Sequence, residues 1–333
     1  MSTQYRCLLV EKLENKQFSR SVTHRSIDNL PAGDLLIKVD YSSLNYKDAL
    51  SAMGNPAVSR NFPHTPGIDA AGNIVESNSD DFAVGDKVLV TGFDLGMNTA
   101  GGFGEYIRIP KSWAVKLPEN LTTREAMIIG TAGFTAAMSV QALLDGGTRP
   151  EHGQILVTGS TGGVGSVAIA LLAKSGFEVV AVTGKAEQAE FLKSLGASEV
   201  VTRESLLEGA EKPMMRERWA GVVDCVGGNY LAAAIKSTRY GGNVTCCGLT
   251  ASADLSLNVF PFILRGVSLL GIDSVECPMA PRLKLWAKLA SEWKLDNLED
   301  FVTECSLDAL DQKINDILAG KVVGRTLVNL KTD

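Results

Sequence analysis

The sequence predicts an α/β chain in two parts, a doubly wound parallel sheet and a mainly antiparallel, partly closed β domain. Three observations carry this. The thirty residues 154–183 read as strand, glycine turn, helix and strand; buried-strand and helical patterns then alternate to about residue 272; and residues 1 to about 120 lack that rhythm, showing short strands separated by turn residues.

In chain order, residues 35–41, 72–75, 87–90 and 105–109 alternate or run apolar over strand lengths, with Gly67, Gly72, Gly85 and Gly92 as punctuation. Residues 42–50 lead into a short helix. From Thr122 the pattern turns helical over 126–130 and 134–144, so a helix joins the two parts. Ile155, Leu156 and Val157 make a buried strand. Val164, Val167, Ala168, Leu171 and Leu172 recur at helical spacing, and Gly176 supplies a stop before the strand 179–182. Strands at 199–202, 220–226, 243–247 and 268–272, with a helix at about 229–240, bring the parallel sheet to six strands. A helix at about 307–319 and a strand at 326–329 return to the first part. The expected domains are 1–121 with 297–333, and 122–296.

The glycine turn carries the first functional signal. Gly159, Gly162 and Gly165 are spaced G-x-x-G-x-x-G between an apolar strand and a helix, where glycine permits the bend, lets backbone amides approach a pyrophosphate and packs the helix on the strand. The helix N-terminus then favours an anion. A dinucleotide site for NAD usually has Asp or Glu about twenty residues on, to hold the ribose 2′-OH. Here Thr183, Gly184 and Lys185 occupy that place, and Arg203 follows the next strand. Hydroxyl and cationic groups suit a 2′-phosphate, so the expected cofactor is NADPH.

Composition bounds the rest. At 333 residues and 45% hydrophobic, the chain can bury two cores. A net charge of −6, a pI near 5.3 and the lack of any basic run give no reason to expect nucleic acid. No uninterrupted apolar segment of about eighteen residues and no leader-like N-terminus are visible, so no membrane partner and a cytoplasmic location are expected. The six cysteines form no C-x-x-C pair and read as free thiols.

The run Ser43-Leu44-Asn45-Tyr46-Lys47-Asp48, then Pro66-Gly67-Ile68-Asp69, Val84-Gly85-Asp86-Lys87-Val88, Gly101-Gly102-Phe103-Gly104-Glu105-Tyr106, Gly130-Thr131-Ala132-Gly133-Phe134-Thr135-Ala136 and the glycine turn occur in an order and spacing that resemble the medium-chain dehydrogenase/reductase superfamily over essentially the whole chain. The resemblance implies a Rossmann cofactor domain and a GroES-like catalytic domain. It is strongest to the zinc-free quinone oxidoreductase and enoyl reductase branch. With Pro261-Phe262-Ile263-Leu264-Arg265 and Gly271-Ile272-Asp273-Ser274-Val275, the chain is most similar to the YhdH/AcuI type, acrylyl-CoA reductases. Asn45 stands where zinc-dependent relatives carry their first ligand, Ile68-Asp69 replaces their His-Glu, and the four-cysteine structural lobe is missing between Asp94 and Gly104. No metal is therefore expected, since a catalytic zinc needs three protein ligands. His64, alone near the site, reads as a packing residue.

The implied reaction is NADPH-dependent reduction of an activated C=C bond, acryloyl-CoA to propionyl-CoA. Asn45 would serve as amide donor to the developing enolate, Tyr46 as proton donor or nicotinamide contact, and Asp48 would orient either. Asp69 is expected to hold neighbouring loops. The implied cofactor contacts are Tyr46, Thr161, Gly162, Gly163, Val164, Thr183, Gly184, Lys185, Arg203, Leu249, Ile263, Ser274 and Arg325. Tyr46, Phe93 and Phe262 are candidates to line a narrow acyl site. A quinone reductase and a non-catalytic NADPH-binding protein are the alternatives. The resemblance also implies a homodimer joined through the edge strand at 268–274.

Overall fold

The computed structural model describes residues 3–14 and 16–331. The chain divides into two compact units, Met1–Thr131 with Val275–Asp333, and Ala132–Ser274. The first unit opens with β1 (Gln4–Lys12) and β2 (Phe18–Ser26), then β3 (Leu35–Leu44), α1 (Tyr46–Ala52), β4 (Asp69–Ser77), β5 (Lys87–Thr91), β6 (Tyr106–Ile109) and β7 (Val115–Lys116). Helix α2 (Thr123–Asp145) leads into the second unit. There follow β8 (Ile155–Val157), α3 (Gly163–Lys174), β9 (Val179–Thr183), α4 (Ala189–Ser194), β10 (Ala197–Thr202), α5 (Arg203–Leu207), β11 (Trp219–Asp224), α6 (Gly228–Lys236), β12 (Thr238–Cys246), α7 (Phe260–Arg265) and β13 (Ser268–Gly271). The chain then returns to the first unit with α8 (Met279–Leu289), β14 (Val302–Ser306), α9 (Leu310–Leu318) and β15 (Arg325–Asn329).

In the second unit six parallel strands run in the order β10-β9-β8-β11-β12-β13. β8, β9 and β11 are buried along their whole length, which is why they read as continuous apolar runs. The order reverses between β8 and β11, so a crevice opens beyond their carboxyl ends. The helix expected at 229–240 stops at Lys236, because Thr238 already begins β12.

In the first unit, β14-β15-β3-β4-β5-β7 form an open seven-stranded sheet with β6 paired on β3, and all pairs except β14 with β15 are antiparallel. The expected barrel closure is not made by strand pairing among the described residues. β15 lies against β3, as expected for a strand that returns to the first part. The β1–β2 hairpin was not foreseen: the polar run Phe18-Ser-Arg-Ser-Val-Thr-His-Arg-Ser26 shows little alternation, yet it pairs through nine residues with a strand that buries Tyr5, Cys7, Leu8 and Val10.

Residues 122–131 and 275–296, assigned by sequence to the cofactor part, pack with the first unit. Arg282 of α8 shows why. Fully buried, it donates to Thr91 at the end of β5 and to the carbonyls of Val275 and Cys277. Helix α2 is long and apolar enough to cross a membrane, but most of it is buried in the fold, as in a core helix. Its helical geometry breaks at Gly130, whose φ is 50°.

Candidate functional site

Four side chains from distant parts of the first unit meet at the end of β3. Asn45 caps α1 in extended conformation, and its N–H donates to Asp48 Oδ2 at 2.7 Å. Asp48 Oδ1 accepts the Ile68 N–H at 2.8 Å, fixing the approach to β4. Asp69, the first residue of β4, accepts Ser43 Oγ at 2.5 Å, Asn45 Nδ2 at 2.8 Å, Thr131 N–H at 2.9 Å and Thr131 Oγ1 at 2.5 Å. Arg325, the first residue of β15, donates from Nη1 to Asn45 Oδ1 at 3.2 Å and from Nε to the Ile128 carbonyl at 3.0 Å.

These bonds fix the orientation of the Asn45 amide. Its nitrogen faces the carboxylates of Asp69 and Asp48, the latter at 3.1 Å, while its oxygen faces a guanidinium. A flipped amide would set oxygen against carboxylate oxygen. Both amide hydrogens are thus committed, and Asn45 has none left for a substrate oxygen. It positions its neighbours instead of donating, the part sequence reasoning gave it. Tyr46, next in the chain, is 37% exposed and its hydroxyl has no partner among the described residues.

The quartet is closed to solvent. Asp48 and Asp69 are fully buried, and Arg325 is 3% exposed. Burial, and next the Asp69 charge, push Asp48 up to about 7 against the pull of its N–H donors. Burial pulls Arg325 down, offset by the two carboxylates. Arg325 Nη2 has no hydrogen-bond partner and sits 3.9 Å from Asp69 Oδ2. Arg325, expected at the cofactor, is instead the counter-charge of the two carboxylates. The network reaches α2 through its break. A Cβ on Gly130 would lie 2.5 Å from Ser43 Oγ and 2.7 Å from both Arg325 Nη2 and Asp69 Oδ2.

The second unit presents its own site at the crevice beyond β8 and β11. Gly159 turns the chain at φ 61°, Gly162 caps α3, and a Cβ on Gly165 would lie 2.4 Å from the Gly159 carbonyl. Gly162 spends its own amide on the Gly159 carbonyl at 2.9 Å, so the first amides left without an intrahelical partner at the start of α3 are those of Gly163, Val164 and Gly165, next to Thr161. Beside them a pocket of about 330 Å³ is lined by Thr158, Gly159, Val182, Arg203, Val226, Tyr230, Thr250 and Ala251. The Arg203 guanidinium lies over Gly184, where a Cβ would come within 2.9 Å of it, and 6.0 Å from the Tyr230 ring. No carboxylate pairs with it among the described residues. Lys185 donates its N–H to Thr183 Oγ1 at 2.9 Å. Thr183 ends β9, Gly184 and Lys185 follow it, and Arg203 opens α5 directly after the neighbouring β10; of these four, Arg203 lines the pocket.

Tyr230, Thr250 and Asp224 were missed. Asp224, ending the apolar β11, accepts Thr158 Oγ1 at 2.7 Å and Gly227 N–H at 2.8 Å, tying the ends of β8 and β11 together. An acid closing an apolar strand beside the reversal of strand order was its available signal. Ser274 accepts Thr135 Oγ1 at 2.7 Å. Leu249 and Ile263 are exposed, Leu249 lining a second pocket of about 650 Å³. Phe262 packs on the parallel-sheet core, and Phe93 stacks 5.6 Å from Trp113.

The chain matches the alcohol dehydrogenase GroES-like domain over residues 31–119 and the zinc-binding dehydrogenase family over residues 163–289. It is 44% identical to the acrylyl-CoA reductase AcuI of Ruegeria pomeroyi, covering 98% of this chain and 99% of that protein. It is 46% identical to YhfP of Bacillus subtilis, which carries a provisional quinone oxidoreductase name, over 99% of this chain and all of that one. The YhfP structure, solved with NAD bound, superposes with a TM-score of 0.96 over 99% of this chain and all of its own. The YhdH oxidoreductase of Salmonella enterica, solved with NADP, is 43% identical with a TM-score of 0.95, over 99% of this chain and 100% of that one. The second family's name implies zinc, and the donor set here does not fit it. Asn45 and Asp69 are spent on each other and on Arg325, and no three His, Cys, Asp or Glu side chains are grouped to hold a metal among the described residues. By these matches the chain belongs to the medium-chain dehydrogenase/reductase family of oxidoreductases, alongside AcuI and YhfP.

Proposed function

We propose that this protein uses NADPH to reduce an activated C=C bond, taking acryloyl-CoA to propionyl-CoA without a metal. The observation that supports the cofactor is the Arg203 guanidinium, which lines the pocket beside the glycine turn and lies over Gly184, with Thr183 and Lys185 next in the chain. The 44% identity to an acrylyl-CoA reductase over nearly the whole chain supports the acceptor. Bound NADPH supplies the hydride. The amides at the α3 N-terminus hold its pyrophosphate, and Arg203 with Lys185 hold the 2′-phosphate. Tyr46, exposed beside the buried quartet, hands a proton to the α-carbon. Asn45 and Asp48 fix the start of α1, and so the place of Tyr46.

A second reading, quinone reduction, is favoured by the 46% identity to YhfP. Parallel assays of NADPH oxidation decide between them. The thioester reading expects kcat/KM for acryloyl-CoA to exceed that for a small quinone by about a hundredfold, roughly 2.7 kcal/mol of differential transition-state binding. The reverse ratio puts the quinone in its place, and NADPH binding without turnover on either leaves a binding protein. We also propose a cytoplasmic homodimer. β13 is the edge of the parallel sheet, Leu269 beside Val259, Ile263 and Leu264 of the neighbouring segment are exposed, and all six cysteines are free thiols. A monomer mass by light scattering at micromolar concentration would refute the dimer.

A further inference from the structure

The crevice of the second unit holds two thiols that neither cofactor binding nor hydride transfer uses. Cys225 and Cys247 each lie one residue beyond the ends of β11 and β12, which pair in parallel with Asp224 opposite Cys246. The next pair in register is therefore Cys225 with Cys247. Their sulfurs are 4.0 Å apart. Neighbouring strands run about 4.8 Å apart, inside the Cα window that a disulfide spans. Side-chain rotation closes the remaining gap without moving either strand to a new register. Access is provided on one side, because Cys247 lines the pocket of about 650 Å³ with Gly227, Gly248 and Ser252.

Cys225 is built into the nucleotide turn. Its N–H donates to Thr158 Oγ1 at 3.1 Å, a Cβ on Gly159 would lie 3.3 Å from its own Cβ, and a Cβ on Gly248 would lie 2.0 Å from its carbonyl. Nothing in this packing is loose. A bond drawing Cys225 toward Cys247 pulls on Thr158 and on the first glycine of the turn.

We propose that Cys225 and Cys247 form an oxidisable dithiol whose disulfide weakens cofactor binding, a modification site that rests on the cofactor reading above for its consequence but not for its chemistry. The oxidant is a peroxide. The Cys247 thiol, facing the pocket, gives up its proton and its sulfur attacks a peroxide oxygen; the O–O bond breaks, the sulfur becomes a sulfenic acid, and the departing hydroxide takes up the released proton as water. The Cys225 thiol then displaces a second water from that sulfur. Two thiols lose two protons and two electrons, and hydrogen peroxide becomes two waters. The hydrogen bond from Cys247, and next burial, raise the Cys225 thiol; Cys247 lines the pocket and Cys225 does not, so Cys247 meets the peroxide first.

The test treats the full-length protein with hydrogen peroxide, with and without saturating NADPH. Intact mass and peptide mapping are read first, and NADPH affinity second. The expected result is a product lighter by two hydrogens, one crosslink joining 225 to 247, slowed by NADPH and reversed by a dithiol reductant. NADPH affinity falls by about tenfold or more, a loss of at least about 1.4 kcal/mol. Cys225→Ser and Cys247→Ser, each compared with its own untreated sample, lose the crosslink and the oxidant effect, and Cys246→Ala keeps both. Absence of the crosslink, a crosslink through Cys246, or oxygen adducts alone overturn the proposal. So does a crosslink that leaves NADPH affinity unchanged. If untreated protein binds no NADPH, the cofactor reading fails, while the mapped crosslink still decides the dithiol.

Discussion

Asp69 takes both the amide and the hydroxyl of Thr131, at 2.9 and 2.5 Å, at the point where α2 breaks. Gly130 departs from helical geometry there, with φ 50° and ψ −162°. Asp69 receives the amide of Thr131, and Arg325 Nε meets the carbonyl of Ile128 at 3.0 Å. An acid and a base 256 residues apart thus bond the backbone on either side of the break, and the same pair holds the Asn45 amide.

Removing the base should therefore unbalance the whole quartet. Arg325→Met leaves two buried carboxylates without a counter-charge and is expected to cost about 3–5 kcal/mol of stability. Urea denaturation measures it. Arg325→Lys keeps the charge but not the two-sided donation, and should fall between. A loss below about 1 kcal/mol for Arg325→Met would show that solvent already screens the carboxylates.

Gly130→Ala tests the break itself. The residue holds φ 50°, and an added Cβ meets Ser43, Arg325 and Asp69 within 2.7 Å. Backbone strain alone is worth about 1–3 kcal/mol, and the displaced polar groups add to it. A variant as stable as the parent would mean that the helix runs through this position unbroken.

The shift of Asp48 sets a pH dependence. Its ordinary pKa is near 3.8 and the folded value is raised to about 7. A carboxyl that binds its proton more tightly when folded stabilises fully below the unfolded pKa, and that stability is lost as pH rises toward the folded one. The melting temperature of the parent, relative to Asp48→Asn, should fall between about pH 4 and 7 and level off above. A difference independent of pH would show that Asp48 stays ionised throughout.

Arg203→Ala should weaken NADPH by about 1.5–3 kcal/mol, the worth of a hydrogen bond to a charged group, and leave NADH nearly unchanged. Gly184→Val should act in the same direction, because its side chain displaces the guanidinium that lies over Gly184. Calorimetric titration of both cofactors checks this. Equal losses for NADPH and NADH would assign Arg203 to the fold and not to the 2′-phosphate.

The elements around the proposed cofactor site were legible in the sequence because they are local. A buried strand, a glycine turn and a helix fall within twenty residues, and Arg203 follows its strand directly. The quartet was not. Arg325 stands 280 residues from Asn45, and nothing in its own neighbourhood marks it as the counter-charge of Asp69. Asn45 misled for the same reason: an amide looks like a free donor until the carboxylates that claim its hydrogens are seen. The β1–β2 hairpin escaped because β2 buries little of its own length, leaving no apolar period to detect.

Tyr46 remains the residue on which the two acceptors differ. It sits beside Asn45 at the first position of α1, more than a third exposed, with the buried quartet holding the helix start behind it. A thioester enolate must gain a proton at carbon, which water delivers slowly, whereas a reduced quinone takes its protons at oxygen from solvent. Tyr46→Phe keeps the ring and removes only the hydroxyl. It should lower kcat for acryloyl-CoA by about a hundredfold or more while leaving the quinone rate within a few-fold. NADPH affinity, measured on the same variant, separates this from a cofactor contact, which would change binding for both acceptors alike. Unchanged kcat with acryloyl-CoA would remove Tyr46 from the proton path and leave its ring as a packing surface.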